Sequence, residues 1–519
     1  MPDTVEKTLS RADGQIHVQV LNPNRWFIPR GFPPTHGNQV TPLIDGKRAM
    51  AEMAIAFSGA TYIYYAGWQL DENTRLIRDS GATTHGLNET LGRAVAAGAD
   101  ARVLVWEGSR LVSDVRPDPA NPTSKLNLFA SNALTAADLR GRGVQVVLDS
   151  HNQTLLGANL GSIHQKTAVA DGGGQGPLGF CGGIDICFQR WDSPAHPAFD
   201  SRRDADASAP FHTPDPWHDV HAMVRGPAVA DLEANLADRW DENGQGSMTR
   251  HPVPPAVPGG THTVQVLRTL PADNIHTFAP RGEFGIRAAY LLAIRSAQEY
   301  IYIENQYLVS ETITQALIDA MTRNRGRNFR VLVVIPHTPA EAAGSGGGSG
   351  RPGAAIIFHT RQMIQRLRAG DPGGMFSVFH LRQPAGPRDI YVHAKVMIVD
   401  DIWATIGSAN ANRRSLAHDA EINLAVVDEA VSEGRRAFAR NLRLALWSEH
   451  LGLTNAELAQ ISDPIAGTAV WAARSGSTQS HVEIHNENET PGSDNALLWD
   501  SVIDPGDETR AEVREWEVP

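Results

Sequence analysis

Cysteine is nearly absent: Cys181 and Cys187 are the only two in a chain of 519 residues. A disulfide scaffold is excluded, and a pair of buried free thiols is expected instead. Positive charge is in deficit. Lys and Arg total 46 against 58 Asp and Glu, a formal charge of −12, so avid, sequence-blind binding to nucleic acid is not expected. Long apolar runs are missing as well. Those at 331–336 and 396–399 are short and adjoin charges, and neither can span a bilayer. The opening MPDTVEKTLSRADGQ carries no apolar signal-peptide core. The expectation is a cytoplasmic protein, or one exported by a leaderless route. What is present is globular in balance, 41% hydrophobic and 20% charged, which argues against wholesale disorder. The length suits two or three domain-sized units.

An internal echo organises the chain. GKRAMAEMAIAFSGATYIYYAGWQL at 46–70 and FGIRAAYLLAIRSAQEYIYIENQYL at 284–308 are both helical patterns running into β-rich strands. ARVLVWEG at 101–108 matches FRVLVVIP at 329–336, and IHQKTAVAD at 163–171 matches VHAKVMIVD at 392–400. Tyr62 pairs with Tyr300, Val103 with Val331 and His164 with His393, in order, at separations of 238, 228 and 229 residues. Such regularity implies a duplicated α/β unit. Alternating strands and helices point to mostly parallel sheet covered by helices. The expected divisions are an N-terminal extension (1–44), a first half (45–255), a second half (256–465) and a polar, acidic tail (466–519). The Pro/Gly-rich run 249–263 separates the halves. PAEAAGSGGGSGRPGA at 339–354 is either an idle linker or an active-site flap.

Both matched segments read His-x-Lys-x-x-x-x-Asp: His164, Lys166 and Asp171, then His393, Lys395 and Asp400. On a strand, residues two apart share a face. An imidazole beside an ammonium makes an anion site in which the lysine holds negative oxygens and the imidazole attacks or moves a proton. Each copy is followed by a small-residue turn, Gly182-Gly183-Ile184-Asp185 or Gly407-Ser408-Ala409-Asn410. Glycine allows close backbone approach, and Ser408 and Asn410 can donate hydrogen bonds to a phosphoryl oxygen. Halves folded face to face would bring both pairs to one centre.

These residues resemble the phospholipase D superfamily, whose signature is HxKxxxxD followed by GSxN or GGxx. The second copy, HAKVMIVDDIWATIGSAN, carries the signature throughout; the first carries HQKTAVAD, a Gly-rich insertion and GGIDICFQRWD. PWHDVHAMVRGPA (216–228), IYIENQYL (301–308) and LWSEHLG (446–452) look like eukaryotic-type members. The resemblance covers roughly residues 45–460. It implies two α-β-α sandwich halves packed face to face around one shared active site. His164 is then the nucleophile, forming a covalent phosphohistidine, and His393 the acid and base. Lys166, Lys395, Ser408, Asn410 and Gly183 would hold the phosphoryl oxygens. By the same resemblance Asp219 should orient His164 and Glu421 should orient His393, while Asp171 and Asp400 tie down backbone. Asp185 stands where many relatives have Asn; while ionised it would repel phosphate, and no phosphate contact is expected of it.

The implied reaction cleaves the head-group side of a glycerophospholipid such as phosphatidylcholine or phosphatidylethanolamine, leaving phosphatidic acid and an alcohol, with transphosphatidylation to small alcohols. The implied partner is a phospholipid membrane or micelle surface, met by a monomer; no nucleic acid is expected. The superfamily also contains nucleases and phospholipid synthases. The acidic balance argues against the first, the lack of an N-terminal membrane segment against the second, and the intact histidines against a lipid-binding scaffold. Trp68, Trp191, Trp217, Tyr307 and Tyr391 lie near the motifs, either as core or as a cage for a quaternary ammonium; Trp191 and Tyr391 are the head-group candidates. Glu304 and Asn305 either stabilise a loop or line the mouth. His212, His218 and His221 suggest zinc, but Asp219 already has a role and no further ligand set completes the site, so neither metal nor cofactor is expected.

Overall fold

The computed structural model describes residues 4–11, 14–21, 25–71, 74–79, 86–108, 116–118, 121–126, 130–151, 161–203, 216–338, 352–384, 386, 388–489, 492–494, 504 and 510–518. Most of the glycine-rich 339–354 loop, and His212, lie outside these residues. An antiparallel hairpin of β1 (Thr4–Arg11) and β2 (Gly14–Leu21) comes first. The first half runs β3 (Thr35–Ile44), α1 (Asp45–Phe57), β4 (Tyr62–Gly67), α2 (Leu87–Ala96), β5 (Asp100–Trp106), a short pair β6 (Arg116–Asp118) and β7 (Asn121–Leu126), α3 (Ala130–Gly141), β8 (Gln145–Asp149), β9 (Thr167–Ala170), β10 (Leu178–Gly182), β11 (Trp217–His218), β12 (Val220–Arg225) and α4 (Ala228–Glu242). The second half repeats the plan. It runs β13 (His262–Leu270), β14 (Glu283–Phe284), α5 (Gly285–Ser296), β15 (Tyr300–Asn305), α6 (Glu311–Arg323), β16 (Arg330–Val334), α7 (Pro352–Ala369), β17 (Phe376–Arg382), β18 (Asp389–Val392), β19 (Lys395–Val399), β20 (Trp403–Gly407), β21 (Glu421–Asp428), a short pair β22 (Val431–Ser432) and β23 (Arg435–Arg436), and α8 (Ala437–Leu451). Beyond it lie α9 (Pro464–Arg474) and β24 (Val482–Ile484), which pairs with β17.

The two halves have the same strand order. The first sheet is β8-β5-β4-β9-β10-β12-β3 and the second is β17-β16-β15-β19-β20-β21-β13. Strands β3 and β13 pair antiparallel and join the sheets, so residues 35–44, expected in an N-terminal extension, are instead a strand of the first half. Each sheet is mixed rather than mostly parallel. Only β8-β5-β4 and β17-β16-β15 run parallel, each connected through helices. The loop from β9 to β10 is too short for a crossover, so that pair closes as an antiparallel hairpin.

Alternation along the strands sorts the core. Ile63 and Tyr65 of β4 face outward onto α1, α2 and α3, while Tyr62, Tyr64 and Ala66 face inward. In β15, Ile301 and Ile303 face α5, α6 and α7, while Tyr300 and Tyr302 face inward. The inward faces of both sheets, with Leu232, Leu236 and Trp240 of α4 and Leu442, Leu446 and Trp447 of α8, form one central apolar cluster. Cys181 and Cys187 are buried free thiols. Among the described residues no helix is long and apolar enough to cross a membrane.

Candidate active site

Each His-x-Lys segment sits where its half meets the other. Ile163 forms a parallel bridge with Ala420, and the His164 N–H donates to the Ala420 carbonyl at 2.9 Å. Trp217 and His218 of β11 pair parallel with Tyr391 and Val392 of β18, and the His393 N–H donates to the His218 carbonyl at 2.8 Å. These contacts decide which carboxylate reaches which ring. His164 Nδ1 lies 2.9 and 3.0 Å from the two Glu421 oxygens. His393 Nδ1 lies 2.6 Å from Asp219 Oδ2. The sequence reading paired them the other way. The structure crosses them, because β21 of the second half runs beside the His164 segment and β11 of the first beside the His393 segment.

Both carboxylates are fully buried. The Ser408 hydroxyl donates to Glu421 Oε2 and Ser415 donates to Oε1 at 2.6 Å. Asp219 Oδ1 accepts the Val220 N–H at 2.8 Å. Burial, then the nearby charge of Asp419, pushes Glu421 up to about 8. Burial pushes Asp219 up to about 7. Burial and then the lysine charges hold His164 well below the usual imidazole range. The same holds for His393, where Lys395 and Arg190 follow burial. With Nδ1 tied to a carboxylate, each ring keeps Nε2 for chemistry.

The lysines are not equivalent. Lys166 Nζ donates to the His164 carbonyl at 2.9 Å and lies 3.1 Å from Asp185 Oδ2. It also sits 5.6 Å above the Trp68 ring. Asp185 Oδ1 accepts the Trp68 and Gln69 N–H groups at 2.9 and 3.2 Å, so this carboxylate neutralises a lysine and fixes a turn. Lys395 Nζ donates to the His393 carbonyl and, at 3.1 Å, to Gln306 Oε1. Burial, against the pull of Asp219, brings it down to about 7.

Two residues assigned to phosphate lie behind the histidines instead. Ser408 is buried, with its hydroxyl on Glu421 and its N–H on the Ile422 carbonyl at 2.9 Å. The Gly183 N–H donates to Val220 at 3.0 Å, and a Cβ there would fall 2.1 Å from Asp219 Oδ1. Both positions make room for or hold the orienting carboxylate. Asn410 is 4% exposed with its Oδ1 unbonded. Asp171 accepts the Thr61 N–H at 3.0 Å, and Asp400 accepts the N–H groups of Gln298, Glu299 and Tyr300 at 2.8–2.9 Å. Each therefore anchors the start of β4 or β15. Burial lifts Asp400 to about 6.

The aromatics divide. Trp68 meets His164 edge-on at 5.6 Å and stacks on Trp106 at 5.8 Å. Trp217 lies 5.0 Å from His393 and 4.6 Å from Tyr391, whose hydroxyl accepts from Gln306 at 3.0 Å. Trp191 is no head-group contact. It is 1% exposed in the outer core of the first half, with Arg78 and Arg202 over its ring. Tyr307 packs on Val309, Ala355 and Ile356.

A family description reading Phospholipase D matches residues 56–324. The chain belongs to the phospholipase D family. A second description, Cardiolipin synthase, PLD-like domain, matches residues 290–442. Among curated relatives, phospholipase D alpha 1 of Carica papaya is 28% identical over 82% of this chain. Phospholipase D alpha 2 of Oryza sativa subsp. japonica is 27% identical over 78%. The chain spans 66% and 64% of those proteins. The solved phosphatidylserine synthase of Haemophilus influenzae Rd KW20 superposes with a TM-score of 0.50 at 15% identity, over 86% of this chain and 95% of that one. At that identity the likeness speaks for the phospholipase D fold alone.

Within this phospholipase D family chain, sequence reasoning passed over Arg190. Its guanidinium lies 4.0 Å from the Trp217 ring, is 5% exposed, and adds positive field at His393 and Lys395. Its place in GGIDICFQRWD, just past the first turn, was the available signal. Glu304 also takes a definite place. It accepts from His218 Nε2 at 2.9 Å and His450 Nε2 at 2.8 Å, so PWHDVH, IYIENQYL and LWSEHLG are three sides of one buried contact. Asn305 Oδ1 accepts the Ala411 and Tyr307 N–H groups at 2.9 and 3.1 Å and fixes the turn beside Lys395.

Proposed function

We propose that this chain hydrolyses the distal phosphodiester of glycerophospholipids, phosphatidylcholine or phosphatidylethanolamine first, to phosphatidic acid and a head-group alcohol. The reading rests on one observation: two imidazoles, each with Nδ1 held by a buried carboxylate, flanked by two lysines and Arg190. His164 Nε2 attacks phosphorus and the bond to the head-group oxygen breaks. His393 enters this step protonated on Nε2 with its Nδ1 proton on Asp219, and the leaving oxygen takes the Nε2 proton as the alcohol departs. Water then gives its proton to His393 and attacks phosphorus, and the P–N bond to His164 breaks. A small alcohol in place of water gives transphosphatidylation. The lysines and Arg190 offset the charge gathering on the non-bridging oxygens. Glu421 and Asp219 fix the rings and stabilise each imidazolium as it forms. The partner is a phospholipid vesicle or micelle surface, engaged by a single chain because both halves of the site come from it.

The experiment is incubation with mixed phospholipid vesicles plus ethanol, with products identified by mass spectrometry. Phosphatidylethanol, together with phosphatidic acid, is the expected result. Absence of both, with cleavage of DNA strands instead, overturns the reading. His164→Ala and His393→Ala should each abolish head-group release while the circular dichroism spectrum stays native. Wild-type turnover in either removes that residue from the mechanism.

A further inference from the structure

One residue before Asp219 begins a second polar cluster to which the proposed reaction assigns no step. Asp45 opens α1, His196 lies in the loop after Trp191, His218 is in β11 and Glu449 is near the end of α8. One nitrogen or oxygen from each falls within 4.8 Å of the other three. His196 Nε2 lies 3.7 Å from Asp45 Oδ2 and 3.5 Å from Glu449 Oε1. His218 Nδ1 lies 3.1 Å from Asp45 Oδ1 and 3.2 Å from Glu449 Oε1. The side chains of Asp45, His196 and His218 are wholly buried and that of Glu449 is 9% exposed. Three of the converging atoms, Asp45 Oδ2, His196 Nε2 and Glu449 Oε1, have no hydrogen-bond partner. Unbonded polar atoms in such a setting are costly unless something unites them.

The far side of each imidazole points to what that is. His196 Nδ1 faces Asp192 Oδ2 at 3.1 Å, and Asp192 is itself held by Arg203 at 2.9 Å and the Trp217 N–H at 2.8 Å. His218 Nε2 faces Glu304 Oε2 at 2.9 Å. Both rings thus have a carboxylate that can take the proton of one nitrogen; His196 Nε2 then faces the cluster as a lone-pair donor, and His218 Nδ1 does so once it exchanges its hydrogen bond to Asp45 Oδ1, at 3.1 Å, for a metal ion. That is the arrangement found around histidines that ligate metal. Asp45 and His196 also hold positive φ angles of 63° and 40°, a strain that persists where surroundings enforce it.

We propose that Asp45, His196, His218 and Glu449 form a zinc site. Zinc bonds to nitrogen and oxygen at about 2.0–2.2 Å, so a tetrahedral shell has edges of about 3.3–3.6 Å. Three separations that use one oxygen per carboxylate, 3.7, 3.5 and 3.2 Å, lie close to those edges, and the 3.1 Å contact of His218 Nδ1 is to the other Asp45 oxygen. Calcium takes six to eight oxygens and magnesium an oxygen octahedron, and two imidazoles fit neither. Two carboxylates balance a divalent charge, and loading releases whatever protons the rings carry. Three ligands belong to the first half and Glu449 to the second, so the ion ties the halves together next to Asp219. The histidines that suggested zinc in the sequence are only partly those that gather here. His221 Nδ1 accepts from the Ile184 N–H at 3.4 Å and takes no part.

The competing arrangement is an all-protein ion network, in which the surrounding carboxylates keep both rings protonated and His196 is pushed up to about 10. The full chain, expressed in zinc-supplemented medium and purified without chelator, separates the two. Elemental analysis should find about one zinc per chain. X-ray absorption at the zinc edge should show two imidazole nitrogens and two oxygens. His196→Gln and Glu449→Gln should each lose most of the metal. His337→Gln, in the separate His337, His380 and Asp389 group, should retain it. A zinc chelator should lower the melting temperature of the wild type and leave the His196→Gln value unmoved. Folded wild-type protein carrying less than about a tenth of an equivalent after zinc exposure and buffer exchange overturns the proposal. Full occupancy in both ligand variants, or a sulfur-containing first shell, overturns it equally. If the variants fail to fold, the absorption spectrum of the wild type decides alone.

Discussion

At the residue scale, the carboxylate behind each imidazole governs the site. Glu421 is raised to about 8 by burial while His164 is depressed. Glu421 therefore holds its proton up to about pH 8, and His164 Nε2 is free only once the carboxylate is ionised and accepts the Nδ1 proton in a hydrogen bond. The acid limb of the kcat/KM–pH profile should belong to this pair. Glu421→Gln removes the negative partner of the imidazolium, so the limb should move to lower pH as kcat falls; an unmoved limb would separate Glu421 from His164. Stability should respond with a definite sign. An acid whose folded value exceeds its unfolded value of about 4.5 binds its proton more tightly when folded, so ionisation costs stability as pH rises from about 4.5 to about 8. The melting temperature of Glu421→Gln, relative to wild type, should accordingly improve between pH 5 and pH 8. Ser408 acts one step further back. Ser408→Ala leaves Glu421 short of one buried donor, which should lower kcat by about 10-fold, equivalent to ~1.4 kcal/mol. KM for vesicles should barely change, whereas a residue holding phosphate would move KM as well.

At the scale of elements, the turn after β10 shows why glycine stands at position 183. A methyl group there would meet Asp219 Oδ1 at 2.1 Å and Cγ at 2.9 Å. Gly183→Ala should therefore push the carboxylate off His393, and a displacement of ~1 Å costs about 10²-fold in rate. A protein with near-native melting and near-native kcat would show that the turn tolerates the methyl. The same region shows what the sequence could and could not say. The His-x-Lys repeats and the strands before them were legible because chemistry and alternation are both local. The crossing of Asp219 and Glu421 was not. It follows from β11 pairing with β18 and Ile163 bridging Ala420, contacts between segments more than 150 residues apart that no local pattern encodes. Mixed strand direction escaped notice because helical connections dominate the pattern, while the β9–β10 hairpin hides behind a glycine-rich loop. Ser408 and Gly183 read as phosphate ligands because their residue types suit that task equally well, and only the neighbour across the sheet decides.

For the whole molecule, duplication means that neither half is complete. His164 takes its carboxylate from the second half and His393 from the first, so orientation at the centre depends on how the sheets pack. That packing is strong: the inward faces of both sheets, α4 and α8 share one apolar cluster, and β3 hydrogen-bonds to β13. The covalent connection is slight by comparison. It crosses an irregular Pro/Gly-rich segment in which Val253 is 66% exposed. The cluster, rather than the peptide linkage, should hold the site together. A protease site introduced at Val253–Ala256 and cut in the folded protein should leave two fragments that co-elute on size exclusion and keep most of the head-group release. Nicking reopens only a surface loop, whereas separating the sheets exposes Tyr64, Leu236, Tyr302 and Leu446 together. Fragments that drift apart, with activity lost at the moment of cutting, would mean that the linker itself holds Asp219 and Glu421 in place.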